Sequence, residues 1–308
     1  MSAHVAVCIV GFRNPGDIAR CRAALEASTW SDFEVIICEN GGADAYATLI
    51  RAAPTQLAGG QAVTIIDSGG NLGFAGGVNR CLAQAPSADA WWILNPDTEP
   101  RPGALAALAA RLERGDCEAV GGKLYWRDGR IQAYGGLWRP WLARAVSLGL
   151  GSPLEAAVDA AVIERRQNYL NGASMLVGRR FLEVAGPMRE DYFLYGEEVE
   201  WCLRARMRGM RLGFAPEAEV LHGHGTTTGA GTAKARQPRL PVYLGERNKI
   251  LLTRDVFAAR LPVAIVAVLA LLSLRYLGRG AWRQFGYALA GWWAGLRDLR
   301  GPPPGFAG

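Results

Sequence analysis

Short apolar runs that recur at regular intervals through the first third of the chain constrain its fold more than any other feature. These runs are residues 5–10, 33–38, 62–67 and 90–94. Strands that are apolar almost throughout, without polar alternation, are typical of a parallel sheet covered by helices on both faces. The segments between the runs have helical patterning. The sequence therefore predicts an α/β fold with a mainly parallel central sheet.

Helical segments alternate with these strands and continue after them. The first begins near Asp17, its predicted N-cap, and a second covers 75–85. Residues 169–186 read as a strand followed by a helix, and the apolar spacing of 196–209 predicts another helix. Two further strands are predicted at 211–216 and 218–225. The segment 121–170, which is rich in Gly, Trp and Arg, matches neither period and receives no assignment.

Composition indicates a globular protein of a reducing compartment. The 308 residues suit one large domain, or one domain with an appendage, and half of them are apolar. The six cysteines form no C-x-x-C pair and no zinc spacing, and Cys8 and Cys38 fall inside apolar runs, where reduced, buried thiols are expected. The amino terminus, "MSAHVAVCIVGF", has no basic leader, so we expect a cytoplasmic protein.

Acidic side chains stand where three of the predicted strands end, at Glu39, Asp67 and Asp97. In parallel sheets ligands bind outside the carboxyl ends of the strands. Asp97, with Asn95 in "WWILNPDT", provides the single carboxylate that suits a Mg²⁺ ion whose other positions are open to phosphates. The alternative is that Asp97 caps a helix starting near Pro102.

The segment "GEEVEW" places Glu197, Glu198 and Glu200 in the first turn of a helix, where the helix dipole favours negative charge. One interpretation is a solvated, dipole-matched face. The aromatic segment "DYFLYG" just before it favours a pocket instead. A carboxylate in such a pocket could act as a general base if burial raises its pKa.

Two of the three histidines, His222 and His224, follow a predicted strand end and could complete a metal site begun by Asp97. Ordinary loop histidines are the alternative for either one alone.

The glycine-rich segment "SGGNLGFAGGVN" (68–79) could approach a ligand closely and offer helix N–H groups to an anion, with Asn71 and Asn79 adding polar groups. Many loops share such a composition. Neither a G-x-G-x-x-G turn, for which the chain has "GFRNPGD", nor a P-loop is present.

The C-terminal part of the chain is apolar and basic. Residues 261–274 are strongly apolar but shorter than the roughly twenty residues that span a bilayer. The following stretch mixes Arg with Trp, Tyr and Phe, a composition typical of interfacial segments. A pair of helices packed on the catalytic domain is the alternative. We expect a monotopic anchor on the inner leaflet and no nucleic-acid partner.

Taken in order, these stretches resemble an inverting glycosyltransferase of family two with the GT-A fold, in its bacterial rhamnosyltransferase-like branch. The segments that match, over nearly the whole chain, are "NLGFAGGVN", "ILNPDT", "NGASMLVGRRFLEVAG", "YFLYGEEVEWCLRARMRG", "APEAEVLHGHG", "YLGERNKILLTRD" and "ALAGWWAGLRDLRG".

The resemblance implies roles for single residues. Asp97 would occupy the last position of the metal-binding D-x-D element, with His222 and then His224 as further ligands of Mg²⁺ or Mn²⁺. Glu198 would be the general base, and its neighbour Glu197 could be confused with it because the pair is E-E instead of E-D. The implied donor-binding residues are Glu39, Asp67, Asn71, Gly73, Asn79 and Asn95. The implied acceptor-side residues are Asn171, Gly172, Tyr195 and Trp201.

The resemblance also implies a substrate class and an organisation. The donor would be a nucleoside-diphosphate sugar, with dTDP-L-rhamnose preferred over another hexose or galactofuranose, and the acceptor a polyprenyl-diphosphate-linked glycan at the inner face of the plasma membrane. The loop G-F-R-N, where the family usually has T-Y-N, leaves its nucleobase contacts open. We expect a catalytic domain at 1–255, a membrane-associating segment at 256–301 and a flexible tail at 302–308. A non-catalytic nucleotide- or carbohydrate-binding module is the alternative from a different class.

Overall fold

The computed structural model describes residues 3–223 and 236–303. The strands are β1 (Val5–Gly11), β2 (Phe33–Glu39), β3 (Val63–Asp67), β4 (Ala90–Leu94), β5 (Thr98–Pro100), β6 (Ala119–Tyr125), β7 (Ile131–Ala133), β8 (Gly136–Arg139), β9 (Arg144–Ser147), β10 (Ser174–Gly178) and β11 (Leu212–His222). The helices are α1 (Pro15–Glu26), α2 (Ala43–Ala52), α3 (Gly73–Gln84), α4 (Ala104–Leu112), α5 (Ala160–Arg166), α6 (Arg179–Ala185), α7 (Glu197–Met207), α8 (Arg239–Val256), α9 (Leu261–Tyr276) and α10 (Trp282–Leu296).

One large sheet has the strand order β3-β2-β1-β4-β10-β6-β11-β5, with β7 added on β6. The first four strands are parallel, as predicted. Beyond β4 the sheet becomes mixed, because β10 runs antiparallel to both of its neighbours while β11 runs parallel to β6. β8 and β9 form a separate hairpin. The expected α/β class is confirmed.

Both faces of the sheet are buried, which explains the continuous apolar runs. In β1, Val5, Val7 and Ile9 belong to one hydrophobic cluster, and the alternate residues Ala6 and Cys8 belong to the other. All six cysteines are buried and free. A strand packed on both faces cannot tolerate polar alternation.

One predicted helix cap is wrong, and the alternative role of Asp97 as a cap is excluded. α1 begins at Pro15 with Asn14 as its N-cap, so Asp17 lies in the first turn. This agrees with the preference of proline for the first helical position. α4 begins after Gly103, so Asp97 does not cap it. Asp97 instead lies on the turn between β4 and β5, with its Oδ1 3.4 Å from Nε2 of His222.

The two strands predicted at 211–216 and 218–225 are one strand, β11, which ends at His222. Its pairing with β6 is interrupted between Phe214 and Glu219. Pro216, which cannot donate to a ladder, lies in this unpaired stretch.

The unassigned segment 121–170 contains most of β6, the short strands β7, β8 and β9, and α5. Strands of three or four residues are too short to show a period in the sequence.

The C-terminal helices α9 and α10 pack on the rest of the protein, and the buried face of α9 belongs to the same large cluster as one face of the sheet. With its flanking turns, α9 runs from Ala258 to Arg279 and has 22 residues. Its most apolar stretch of 18 residues has a mean hydropathy of 2.0, and 22% of that stretch is buried. Length and composition therefore suffice to cross a membrane, although the apolar run alone is shorter.

Close packing of α10 on α8 depends on a glycine. A Cβ at Gly291 would overlap the carbonyl oxygen of Tyr243 in α8. We expect Gly291→Ala to lower the free energy of unfolding by about 1–3 kcal/mol, because the helices must separate to accommodate the methyl group. Urea unfolding, followed by circular dichroism, measures the change.

Gly286→Ala is the matched control, since Gly286 is in the same helix and a Cβ there meets no atom within 4 Å. Alanine is favoured over glycine in a helix by about 1 kcal/mol. This control is therefore expected to stabilise the protein. Equal stability of the two variants would contradict the proposed packing of α10.

Candidate active site

The carboxyl ends of the parallel strands meet at one edge of the sheet. The register pairs Gly11 with Glu39 and Glu39 with Asp67. Glu39 is buried, and its Oε1 accepts hydrogen bonds from the backbone N–H of Arg13 at 3.0 Å and of Gly41 at 2.7 Å. The carboxylate thus ties the loop after β1 to the loop after β2.

An open cavity of about 680 Å³ lies beside Glu39. Arg13, Asp44 and Thr48 also line it. Its size suits a small organic ligand. The G-F-R-N loop, through Arg13, therefore forms one wall of a cavity at the end of β2.

Two N–H groups at the start of α3 already have partners within the protein. Asp67 Oδ1 accepts the N–H of Gly69 at 2.9 Å, and Asn71 Oδ1 accepts the N–H of Gly73 at 3.1 Å. The next N–H, of Phe74, donates to the carbonyl of Phe193 at 2.9 Å. The protein itself therefore satisfies the first two N–H groups of α3, contrary to the prediction.

Gly73 has a packing role. It has a φ of +73°, and a Cβ there would overlap the carbonyl oxygen of Phe193. A glycine is therefore needed at this position so that the segment before α7 can pack against the start of α3.

Asn79 also serves the fold. Its amide donates to the carbonyl of Met188 at 2.9 Å and to Glu190 Oε1 at 2.8 Å, and its Oδ1 accepts the N–H of Met188 at 3.0 Å. Both N–H groups and the oxygen have protein partners, so Asn79 joins α3 to the 188–190 segment.

Asp97 and His222 meet at the ends of β4 and β11. His222 Nε2 lies 3.4 Å from Asp97 Oδ1 and 3.5 Å from Asn95 Nδ2. Both side chains of the acid–imidazole pair are nearly buried, with 9% and 7% exposed. His224 lies outside the described residues.

The second imidazole nitrogen shows how His222 is oriented. Nδ1 lies 2.6 Å from Oε1 of the buried Gln132 in β7, and an amide oxygen can only accept, so Nδ1 donates. In the neutral ring the lone pair of Nε2 then points toward Asp97 Oδ1. In this tautomer neither atom carries a hydrogen, so their 3.4 Å contact is not a hydrogen bond.

A carboxylate and an imidazole nitrogen that face each other, with a fixed tautomer behind the imidazole, fit the ligand chemistry of a divalent cation. No group of three or more His, Cys, Asp or Glu residues suited to a metal occurs within 3–223 and 236–303. The protein ligands in this region are therefore few, which suits an ion whose remaining positions are filled by phosphate oxygens.

The three glutamates of α7 have different environments. Glu197 is 2% exposed, and its Oε2 has no hydrogen-bond partner within the described parts of the chain. Burial, and then the charge of Glu198, raise the pKa of Glu197 to about 8. Burial also raises the pKa of Glu198, which is less enclosed and accepts the N–H of Gly196 at 3.2 Å. Glu200 pairs with Arg204 at 2.7 Å.

The segment that leads into α7 has unusual backbone geometry. Phe193, Tyr195 and Gly196 have φ values of +68°, +74° and +93°. The first two are not glycines, so this conformation costs on the order of 1–3 kcal/mol per residue and persists only where the surroundings enforce it.

Two buried residues of α8 enforce it. The Asn248 amide donates to the carbonyls of Tyr192, Leu194 and Tyr195 at 3.1, 2.9 and 2.7 Å. The Arg247 guanidinium donates to the carbonyl of Tyr192 at 2.8 Å and to that of Gly301 at 2.6 Å. α8 thus holds the start of the helix that bears Glu198.

The loop before β10 connects Glu198 to the Asp97 turn. An added Cβ at Gly172 would lie 3.3 Å from both Cβ and Cγ of Glu198. The carbonyl of the next residue, Ala173, accepts the N–H of Asn95 at 3.0 Å. Asn171 Oδ1 shapes this loop by accepting the N–H of Ala173 at 2.9 Å. Asp97 and Glu198, a hundred residues apart in the chain, therefore flank one short loop.

Trp201, expected on the acceptor side, is enclosed by the protein. It is fully buried, its indole N–H donates to the carbonyl of Gly186 at 2.8 Å, and its ring packs edge-on against Phe181. Tyr195 is partly exposed beside the glutamates, and its carbonyl is held by Asn248.

The residues that sequence reasoning did not identify are Gln132, Arg247 and Asn248. Gln132 lies in the unassigned segment, which gave no signal. Arg247 and Asn248 lie within "YLGERNKILLTRD", a matching segment to which no role was given.

The sequence model of the family described as glycosyl transferase family 2 matches residues 6–166 of the chain. An N-acetylglucosaminyl-diphospho-decaprenol L-rhamnosyltransferase of Mycobacterium tuberculosis is 28% identical over 260 residues, 76% of this chain and 82% of that protein. A low-salt glycan biosynthesis hexosyltransferase of Haloferax volcanii is 24% identical over 63% of this chain and 61% of its own length.

Solved structures share the fold at low identity. The mannosyltransferase PcManGT of Pyrobaculum calidifontis, in complex with GDP-Man and Mn²⁺, superposes with a TM-score of 0.58 at 14% identity, over 97% of this chain and 88% of its own. TarS of S. aureus gives a TM-score of 0.52 at 12% identity, over 96% and 91%. The predicted GT-A fold is confirmed. Because the family model covers more than half of its length, the chain belongs to glycosyl transferase family 2.

Proposed function

We propose that this protein transfers a sugar from a nucleoside-diphosphate donor to an acceptor hydroxyl with inversion at the anomeric carbon. The main support is the position of the 171–173 loop, which touches Glu198 through Gly172 and the Asp97 turn through Ala173. A carboxylate that can accept a proton and a pair of groups that can hold a cation then border the same cleft.

The proposed donor is a nucleoside-diphosphate sugar, with dTDP-L-rhamnose as the first choice. The Mycobacterium tuberculosis relative is named a rhamnosyltransferase, which supports this sugar over another hexose or galactofuranose. The cavity beside Glu39 would take the nucleoside, with Arg13 and Thr48 in its wall. Asp67 and Asn71, on the neighbouring loop, stay predictions for donor contacts.

Asp97 and His222 would hold Mg²⁺ or Mn²⁺, with His224 as a further ligand. When bound, such an ion neutralises charge that develops on the leaving diphosphate. The Mn²⁺ in the structure of PcManGT supports this assignment. The side-chain oxygen of Gln132 fixes the tautomer of His222. The side-chain amide of Asn95 lies beside Nε2 of the same ring.

Glu198 is the proposed base. It removes the proton of the acceptor hydroxyl as the oxygen attacks the anomeric carbon, and the bond from that carbon to the diphosphate breaks. Its raised pKa makes it a stronger base than an exposed glutamate. Glu197, with a pKa of about 8, is mostly protonated at neutral pH, so it adds little charge beside Glu198.

The proposed acceptor is a polyprenyl-diphosphate-linked glycan on the cytoplasmic face of the plasma membrane. The name of the Mycobacterium tuberculosis relative, which includes a diphospho-decaprenol, supports a lipid-linked acceptor. Asn171, Gly172 and Tyr195 would border it. We further propose that residues 1–255 form the catalytic unit and that 256–301 associate with the membrane, followed by the 302–308 tail.

Replacement of the proposed base should abolish turnover without loss of folding. We expect Glu198→Gln to lower the transfer rate by about 10²- to 10⁴-fold, the usual contribution of a general base. The measurement is release of the nucleoside diphosphate with a panel of sugar donors and a soluble acceptor. A near-normal rate in Glu198→Gln would exclude Glu198 as the base.

Glu197→Gln is the matched control, because it keeps the neutral form that Glu197 adopts at neutral pH. Its transfer rate should stay within a few-fold of the parent. Since burial raises the pKa of Glu197 from 4.5 to about 8, this residue makes the parent lose stability as pH rises through this range, and the variant lacks this loss. Unfolding free energies measured at several pH values should therefore increasingly favour the variant up to pH 8. A parallel pH dependence of the two proteins would contradict the assigned pKa.

The cation site is tested by binding as well as by activity. Asp97→Ala should remove the Mn²⁺-dependent rise in melting temperature and the Mn²⁺ dependence of donor turnover. Glu99→Ala is the control, because Glu99 is two residues away and pairs with Arg127 at the surface. Unchanged Mn²⁺ stabilisation in Asp97→Ala would remove this residue from the site.

A further inference from the structure

The tip of the β8–β9 hairpin exposes two large apolar side chains. Trp141 is 53% exposed and Leu142 is 37% exposed. The guanidinium of Arg260, just before α9, lies 5.5 Å from the centre of the Trp141 ring. The hairpin tip therefore adjoins the start of the apolar helix, although more than a hundred residues separate them.

The outward face of α9 is apolar along most of its length. Val263, Val266 and Leu274 are 51%, 67% and 73% exposed. The opposite face of the helix is buried and consists of Ala264, Val268, Leu272 and Tyr276. In water such a continuous apolar face is unfavourable, so it indicates a binding surface.

The outward face of α10 combines aromatic and basic residues. Trp282 and Trp293 are 70% and 55% exposed, and Arg283 and Arg297 lie on the same side by helical spacing. Tryptophan and arginine together are typical of segments at the interface between lipid headgroups and acyl chains.

The charge of this region points to an anionic partner. Residues 256–297 contain five arginines and no acidic residue, and only one of these arginines, Arg275, pairs with an acidic residue elsewhere within the described residues, Glu246 of α8. Arginines at the edge of an apolar face attract anionic lipid headgroups, at about 1 kcal/mol per residue near the surface. A protein partner of matching acidity would not need an apolar face of this length.

We propose that the hairpin tip and the outward faces of α9 and α10 together form one docking face for the surface of an anionic bilayer. This docking face rests on the proposed function in one respect, which is that the acceptor is linked to a lipid. It adds to that function a second insertion element, Trp141 and Leu142, outside the C-terminal segment.

Contacts of α9 with the protein favour a helix that lies on the bilayer. Arg275 pairs with the buried Glu246 of α8 at 3.0 Å, and the Trp292 indole of α10 donates to the carbonyl of Ile265 at 3.0 Å. A helix that crossed the bilayer would lose these contacts and leave Glu246, already paired with Lys249, with one cation fewer.

The hairpin also connects the docking face to the acceptor side of the cleft. Asn168 Oδ1 accepts the N–H of Trp138, within β8, at 2.7 Å, and the Asn168 amide donates to the carbonyl of Trp138 at 3.1 Å. Asn168 is three residues before Asn171 and four before Gly172, which packs against Glu198. An acceptor whose lipid stays in the bilayer would thus enter the cleft beside the base.

Flotation with phosphatidylcholine vesicles, with and without phosphatidylglycerol, tests the docking face in the full chain. We expect binding only to the anionic vesicles, and we expect the double variant Trp141→Ser/Leu142→Ser to weaken it at least tenfold. Met207→Ser is the control, because Met207 is 69% exposed on α7, outside the docking face. Donor turnover with a soluble acceptor should be unchanged in all three proteins.

The possible results distinguish the proposed docking face from the proposed transferase activity. Binding that the double variant retains would remove the hairpin from the docking face, and absence of parental binding would overturn the whole face. In either case turnover with the soluble acceptor would leave the transferase proposal standing. A parent that dimerises in solution, and a double variant that does not, would show that the face binds a second copy and overturn the membrane assignment.

Discussion

The arrangement of the site depends on where β10 enters the sheet. β10 runs antiparallel beside β4, so its first residue, Ser174, pairs with the last residue of β4, Leu94. The loop before β10 must therefore lie at the edge where the Asp97 turn also lies. A strand inserted in the parallel direction would have sent this loop to the opposite edge. The antiparallel insertion, together with the small Gly172, brings α7 and its glutamates to the ends of the parallel strands.

The second requirement is a rigid entry into α7. The positive φ values of Phe193 and Tyr195 are unfavourable, and hydrogen bonds from Asn248 offset them. Burial lowers the pKa of Arg247, so the buried guanidinium itself is costly. A helix that supplies such groups to hold the carbonyls of a neighbouring loop is typical of a segment whose position matters to chemistry.

Much of this could be predicted from the sequence, because the signals are local. Burial on both faces leaves continuous apolar runs, and the acids that follow these runs must share an edge. The short strands of the 121–170 segment were missed because they lack a measurable period. The packing roles of Asn79 and Gly73 were missed because their partners, Met188 and Phe193, lie more than a hundred residues later in the chain. An asparagine or glycine that serves packing looks the same in sequence as one that binds a ligand.

Helix α8 contacts both the entry to α7 and helix α10, and these two contacts bear on the choice of substrate. One side of it holds the entry to α7 through Asn248, and another receives α10 so closely that Gly295 lies against the carbonyl of Arg247. Within the described residues, α8 thus connects the entry to the proposed base directly to a helix of the proposed docking face. A protein of this kind would hold its reactive carboxylate at a constant height above the lipid headgroups. Such a protein would select acceptor glycans by the distance between their terminal hydroxyl and the bilayer.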